Sequence, residues 1–93
     1  MIYAYVDLTV TDPDSFQRYA EQAGPLLQKW GAKAQAMSTT PTLLEGEGTA
    51  PGRAVLLSFP DRDSAIGWIE DPEAKDIHAL RRAAGPCRIT LIG

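Results

Sequence analysis

Side chains able to do chemistry are few in this sequence, and the most suggestive group falls between Ala74 and Arg82. His78 is the single histidine and the only side chain whose unperturbed pKa lies near neutrality, which makes it the natural proton-transfer candidate. Positions 74, 77, 78 and 81 share one face of a helix, so Ile77 and Arg81 point inward and His78 sits on the flank beside Arg81 and Arg82. A partly buried arginine requires a carboxylate partner or an anionic ligand. Arg81 is therefore the first candidate for a site residue, as the group that binds an anionic oxygen. The competing account is an ion pair with Glu45, Asp7 or another carboxylate that fixes the helix on the sheet. For His78 it is a solvated surface position.

Asp7 lies on the same strand face as Tyr3 and Tyr5. It is exposed near a strand edge, paired with an arginine, or a carboxylate of raised pKa usable as a base. Tyr5 and Tyr19 could orient a substrate through their hydroxyls, with Trp68 and Trp30 as aromatic walls; the plainer account makes these aromatics core or interface. Glu45 joins the binding candidates, although a turn that needs the backbone freedom of Gly46 explains the Glu-Gly pair equally well. Ser58 has no His-Asp arrangement near it in sequence, and the glycines at 46, 48 and 52 are followed by no Lys-Ser pair or helix start, so hydrolase and phosphate-loop readings have no support. One cysteine, Cys87, excludes an intramolecular disulfide, and one histidine argues against a protein metal site. No cofactor is expected.

These residues are positioned by a pattern that occurs twice. The alternating run Ile2 to Val10 leads into Asp12-Pro13 and a helical stretch, and Ala54 to Phe59 leads into Pro60-Asp61 and another. Each helix is followed by a further strand, which predicts a βαββαβ sandwich. In the first strand Ala4, Val6 and Leu8 face one side and Tyr3, Tyr5 and Asp7 the other. The tyrosines predict that the second side is covered too, by a partner subunit or a pocket wall. The first helix is predicted from Pro13 to about Trp30, with Phe16, Tyr19, Ala20, Ala23, Leu27 and Trp30 in one stripe, a kink or short break near Ala23-Gly24 ahead of Pro25, and Gly31 at the left-handed terminal position. A bent second strand is expected from about Ala32 to Met37, resuming over residues 42–46. Asp61 or Asp63 caps a short helix through Trp68 and Ile69; Asp71-Pro72 starts another that Gly85-Pro86 stops before a last strand at Cys87 to Ile92.

At 93 residues the chain makes one domain, residues 1–93, and a domain this small gains stability from pairing. A homodimer is expected. Nine Lys and Arg against twelve Asp and Glu leave no basic face for a phosphate backbone, so nucleic acid is not an expected partner. No run has the length of a membrane span and the N-terminus shows no signal-type segment, which predicts a cytoplasmic protein.

The order of Asp12-Pro13, Tyr19, Trp30-Gly31, Leu44-Glu45-Gly46, Phe59-Pro60, Ala65, Trp68, Asp71-Pro72-Glu73 and Arg81 resembles domain-of-unknown-function family 1330, of the dimeric α/β-barrel superfamily, over nearly the whole chain. The resemblance implies an α+β, ferredoxin-like monomer whose four-stranded antiparallel sheet packs against a second copy. It also implies a pocket between sheet and helices. In the superfamily such pockets serve cofactor-independent monooxygenation, cyclisation or isomerisation of small, often aromatic molecules; the family itself has no assigned activity. Where the family commonly has Trp-Tyr-x-Ser-Pro-Glu-Tyr, this chain has Trp68-Ile69-Glu70-Asp71-Pro72-Glu73-Ala74. Two aromatic hydroxyls are missing, which implies a larger, more apolar pocket or a different ligand. The expected function is a cofactor-independent enzyme on a small apolar or aromatic anionic metabolite, of isomerase, cyclase or monooxygenase type. The alternative is a non-catalytic small-molecule-binding or stress-associated dimeric protein.

Overall fold

Three aspartates start two of the helices and the 3-10 turn that leads into the third, each by accepting a backbone N–H that the first turn leaves unpaired. Asp12 Oδ1 accepts from Ser15 N at 3.2 Å and its Oδ2 from the Ser15 hydroxyl at 2.8 Å; Pro13 follows where its missing N–H costs nothing. Asp61 Oδ1 accepts from Ser64 N at 2.7 Å, and Asp71 Oδ1 from Glu73 N at 2.9 Å. The computed structural model describes all 93 residues. In chain order it has β1 (Ile2–Leu8), α1 (Pro13–Lys29), β2 (Lys33–Ser38), β3 (Arg53–Phe59), α2 (Arg62–Glu70), a 3-10 turn at Pro72–Ala74, α3 (Lys75–Ala84) and β4 (Cys87–Ile92).

The strands form one antiparallel sheet in the order β2-β3-β1-β4, the ferredoxin-like arrangement. Helices cover one face, and there Ala4, Val6, Leu57 and Phe59 make the core with Leu26, Ala65, Trp68 and Ala74. On the other face Tyr3 stands in a row with Ser58 and Ile92, Tyr5 with Leu56 and Thr90, and Asp7 with Ala54 and Arg88. No helix is long and apolar enough to cross a membrane.

Two local details differ from expectation. Helix α1 has no break at Pro25, because a proline removes only one ladder bond and the turns on either side are held by tertiary packing. Residues 42–46 form no strand: β2 bulges between Ala34 and Ala36 and ends at Ser38, and Leu44 is 93% exposed on the loop that follows. Gly31 does take the left-handed conformation, at φ +69°.

The C-terminus of α1 is fixed by one carboxylate. Asp71 Oδ2 accepts from Lys29 Nζ at 2.7 Å and from Trp30 Nε1 at 3.1 Å. Its side chain is almost wholly buried, and the Lys29 ammonium is the main cause that holds its pKa below the ordinary aspartate value. Trp30 in turn lies against α2 at Gly67, where an added Cβ would come within 2.5 Å of the indole ring. Gly67→Ala is therefore expected to destabilise the fold by about 1–3 kcal/mol through overpacking. Urea unfolding checks this; an unchanged midpoint would show that Trp30 does not set the spacing of α1 and α2.

Candidate functional site

Helix α3 carries two polar side chains, His78 and Arg81, into the protein. Arg81 is 5% exposed and His78 is 1% exposed, so the expectation of a flanking, solvated histidine is overturned. The reason lies in α2: its Trp68 carbonyl, near the helix C-terminus where carbonyls lack intrahelical partners, takes the His78 ring at 2.7 Å. A carbonyl can only accept, so His78 Nε2 carries the hydrogen. The bare Nδ1 faces Arg81 Nη2 at 3.3 Å, which can only donate. The Trp68 indole meets the His78 ring edge-on at 5.4 Å between centroids.

Arg81 has no carboxylate partner. Lys29 makes the ion pairs of this chain, with Asp71 and Glu73, and the expected pairing of Arg81 with Glu45 or Asp7 does not occur. Its remaining contact is Nη1 to Cys87 Sγ at 3.5 Å. Arg81 Nε and Trp68 Nε1 are buried without any hydrogen-bond partner. Orphaned donors of this kind are rare, and each costs on the order of 1–3 kcal/mol.

Both side chains line a cavity of about 240 Å³ between α1 and the helix-covered face of the sheet. Phe16, Tyr19, Ala20, Ala23 and Leu27 of α1 form one wall; Val6, Leu8, Val55 and Leu57 form the floor. The stripe of α1 that reads as core in the sequence thus faces an unfilled space. Leu26, one position off that stripe, is the fully buried α1 residue, since α1 packs beside α3 as well as over the sheet. A cavity of roughly 150 Å³ accommodates benzene, so this one has room for a substituted ring. A more open space of about 390 Å³ between α2, α3 and β4 shares Arg81 and Trp68 but is also lined by Glu70 and Arg82.

Tyr19, Trp68 and Arg81 therefore converge on one cavity. Burial raises the Tyr19 pKa, against the lowering effect of the Arg81 charge, so its hydroxyl stays protonated at neutral pH. His78 touches Arg81 from behind. Tyr5 and Asp7 stand on the opposite face of the sheet, and Glu45 lies on the exposed loop; none of the three is brought to Arg81. Sequence reasoning missed Arg53, which also lines the cavity.

Burial is the main cause that lowers the His78 pKa from its ordinary 6.5; the Arg81 and Arg82 charges add to it, and the hydrogen bond to the Trp68 carbonyl opposes it. The unfolded chain consequently takes up a proton near pH 6.5 that the folded protein accepts only at lower pH, and stability falls as pH drops through that interval. Urea midpoints should decline from pH 7 to pH 5.5 in the natural protein and stay nearly level in His78→Gln. An equal decline in the variant would place the titrating group elsewhere.

Solved structures share this architecture at low sequence identity. A protein of unknown function from Rhodopseudomonas palustris superposes with a TM-score of 0.78 at 17% identity, covering 98% of this chain and 79% of that one. SnoaB, a cofactor-independent oxygenase from Streptomyces nogalater, determined as a point variant, gives 0.63 at 13% identity, covering 99% and 89%. A dimeric ferredoxin-like protein of unknown function from Jannaschia gives 0.65 at 12% identity, covering 99% and 97%. No curated protein matches the chain. The family described as "Domain of unknown function (DUF1330)" matches residues 1–93, and the protein belongs to it.

Proposed function

We propose that this chain binds a small apolar or aromatic molecule through an anionic oxygen at Arg81, in the cavity beneath α1, and acts on it as a cofactor-independent enzyme. One observation carries the reading: a buried guanidinium without a carboxylate, opening on a space whose lining is apolar apart from Arg53. A ligand oxygen placed there would take charge-assisted hydrogen bonds from the Arg81 guanidinium. Tyr19, held as a phenol, is a second donor on the same cavity.

Donors of this kind favour the anion of an enol or phenol over its neutral form, because their hydrogen bonds strengthen as charge develops on the oxygen. The resulting enolate or phenolate, its proton released to water, is the electron-rich species from which isomerisation, cyclisation or reaction with dioxygen proceeds. SnoaB, a fold relative described as a cofactor-independent oxygenase, supports that class by analogy alone. Within this reading Arg81 contacts the reacting oxygen and His78 positions Arg81. His78 has both ring nitrogens engaged, which favours positioning over proton transfer. Asp7, Tyr5 and Glu45 take no part. A binding protein without turnover is the second reading, and one observation favours it: no carboxylate lines the cavity to serve as a base.

A homodimer belongs to the same proposal. The Tyr3 and Tyr5 rows, with Leu56 and Ile92, leave an apolar sheet face uncovered in the monomer, and a relative of this fold is described as dimeric. Sedimentation should give twice the 10.1 kDa chain mass, and Tyr5→Glu should give a monomer; a monomeric natural protein at high micromolar concentration would sink the dimer.

Thermal-shift titration with small aromatic acids and phenols tests the site, since binding to the folded state alone raises Tm. Arg81→Met should abolish the response while the unliganded protein keeps or gains stability, because an unpaired buried charge is removed. Loss of about 2 kcal/mol or more of unliganded stability in that variant would make Arg81 structural instead. Turnover of a bound compound, followed by oxygen uptake or product analysis, separates enzyme from binding protein.

A further inference from the structure

We infer that Arg53 is a second anion anchor in the same cavity, so that the ligand is an aromatic or apolar diacid: a frame of about one ring carrying a carboxylate for Arg53 and a second acidic oxygen, enolic, phenolic or carboxylic, for Arg81. The inference rests on the Arg81 reading above and adds to it the class of ligand. Only two charged residues line the cavity, Arg53 and Arg81, and both are cations. That is unexpected in a chain with twelve acidic and nine basic Lys and Arg side chains.

Strand pairing brings the two cations to one end of the sheet. Leu8 of β1 is the register partner of Arg53 on β3 and of Cys87 on β4. Directly paired residues share a face, and neighbouring strands lie about 4.8 Å apart, so the Cα atoms of Arg53 and Cys87 are separated by roughly 10 Å across Leu8. Arg81 Nη1 reaches Cys87 Sγ at 3.5 Å. One guanidinium therefore sits at the Cys87 side of that row and the other is rooted at its far side.

Arg53 is also held in place without using up its donors. Its guanidinium carbon lies 4.4 Å from the centroid of the Phe16 ring, itself a wall of the cavity. A cation over a ring face is attracted by the quadrupole and keeps its N–H groups free in the ring plane's periphery. No carboxylate pairs with it. Two unneutralised cations at one apolar cavity repel each other, and a monoacid answers only one of them. A dianion answers both, and the bidentate fork of each arginine matches a carboxylate.

The test is a set of thermal-shift titrations with four probes: benzoate, phthalate, isophthalate and terephthalate. At least one diacid should produce the half-maximal shift at a concentration tenfold or more below that of benzoate. Arg53→Gln should remove this advantage and leave the benzoate response unchanged; Arg53→Lys should keep part of it, because the charge remains while the fork is lost. Arg81→Met should remove the response to all four. Benzoate matching every diacid in the natural protein would overturn the second anchor while leaving the Arg81 site intact, as would an Arg53→Gln variant that weakens benzoate as much as the diacid. A flat response to all four acids would overturn the diacid class, and if phenols were flat as well the Arg81 reading would fall with it.

Discussion

Taking the Arg81 guanidinium out of water costs several kcal/mol when no carboxylate receives it, and the groups around it are arranged to hold that charge rather than to neutralise it. His78 is fixed by the Trp68 carbonyl in the tautomer that offers a bare nitrogen to Arg81. The neutral imidazole accepts from the Arg81 guanidinium, whereas a protonated ring would repel it. Depression of the His78 pKa and placement of Arg81 are thus two sides of one contact. The guanidinium is held on one side by an acceptor that cannot cancel it, and its Nε is left without a partner.

A cavity survives beneath α1 in so small a domain although the helix packs along α3 and is fixed at both ends. At its N-terminus the Asp12 side chain caps the helix, and the backbone N–H groups of Thr11 and Asp12 donate to the Ala84 carbonyl at the end of α3. Asp71 binds Lys29 and Trp30 at the other end, and the Trp30 ring rests on Gly67. Between those points the small residues Ala20, exposed, and Ala23, half-buried, line the cavity. Larger side chains there would fill the space; alanines at fixed helix height leave it open. The Asp71-Pro72 turn serves both ends of the site, since it terminates α2 just after Trp68 and begins the turn that feeds α3.

Local signals explain what could be read from the chain. Caps at Asp12, Asp61 and Asp71 act over three residues or fewer, and the left-handed Gly31 follows directly from the end of a helix, so the order of elements was legible. Strand alternation separated Ala4, Val6 and Leu8 from Tyr3, Tyr5 and Asp7 for the same reason. His78 was not legible as buried: its partner is a backbone carbonyl ten residues away, and no side-chain pattern announces that. Arg53 was missed because its place depends on the register of β3 against Leu8, a long-range fact. The strand expected over residues 42–46 failed because extended propensity in Thr42-Leu43-Leu44 found no neighbouring strand to pair with once β2 had ended at Ser38.

Conservation of stability alone would have produced a different interior. Replacing Arg81 by an apolar side chain removes an unpaired charge, and larger residues at positions 20 and 23 would remove a void whose lining forfeits packing contacts. Each change is chemically simple and each is expected to stabilise. A domain of 93 residues has a total stability on the order of 5–15 kcal/mol, so an orphaned guanidinium and an unfilled cavity are large defects relative to what it holds in reserve. Their coincidence at one place is the argument for a ligand. A void without the arginine would read as imperfect packing, and the arginine without the void would read as a strained structural group. Together they describe a space whose missing contacts and missing counter-charge are complementary to one kind of molecule.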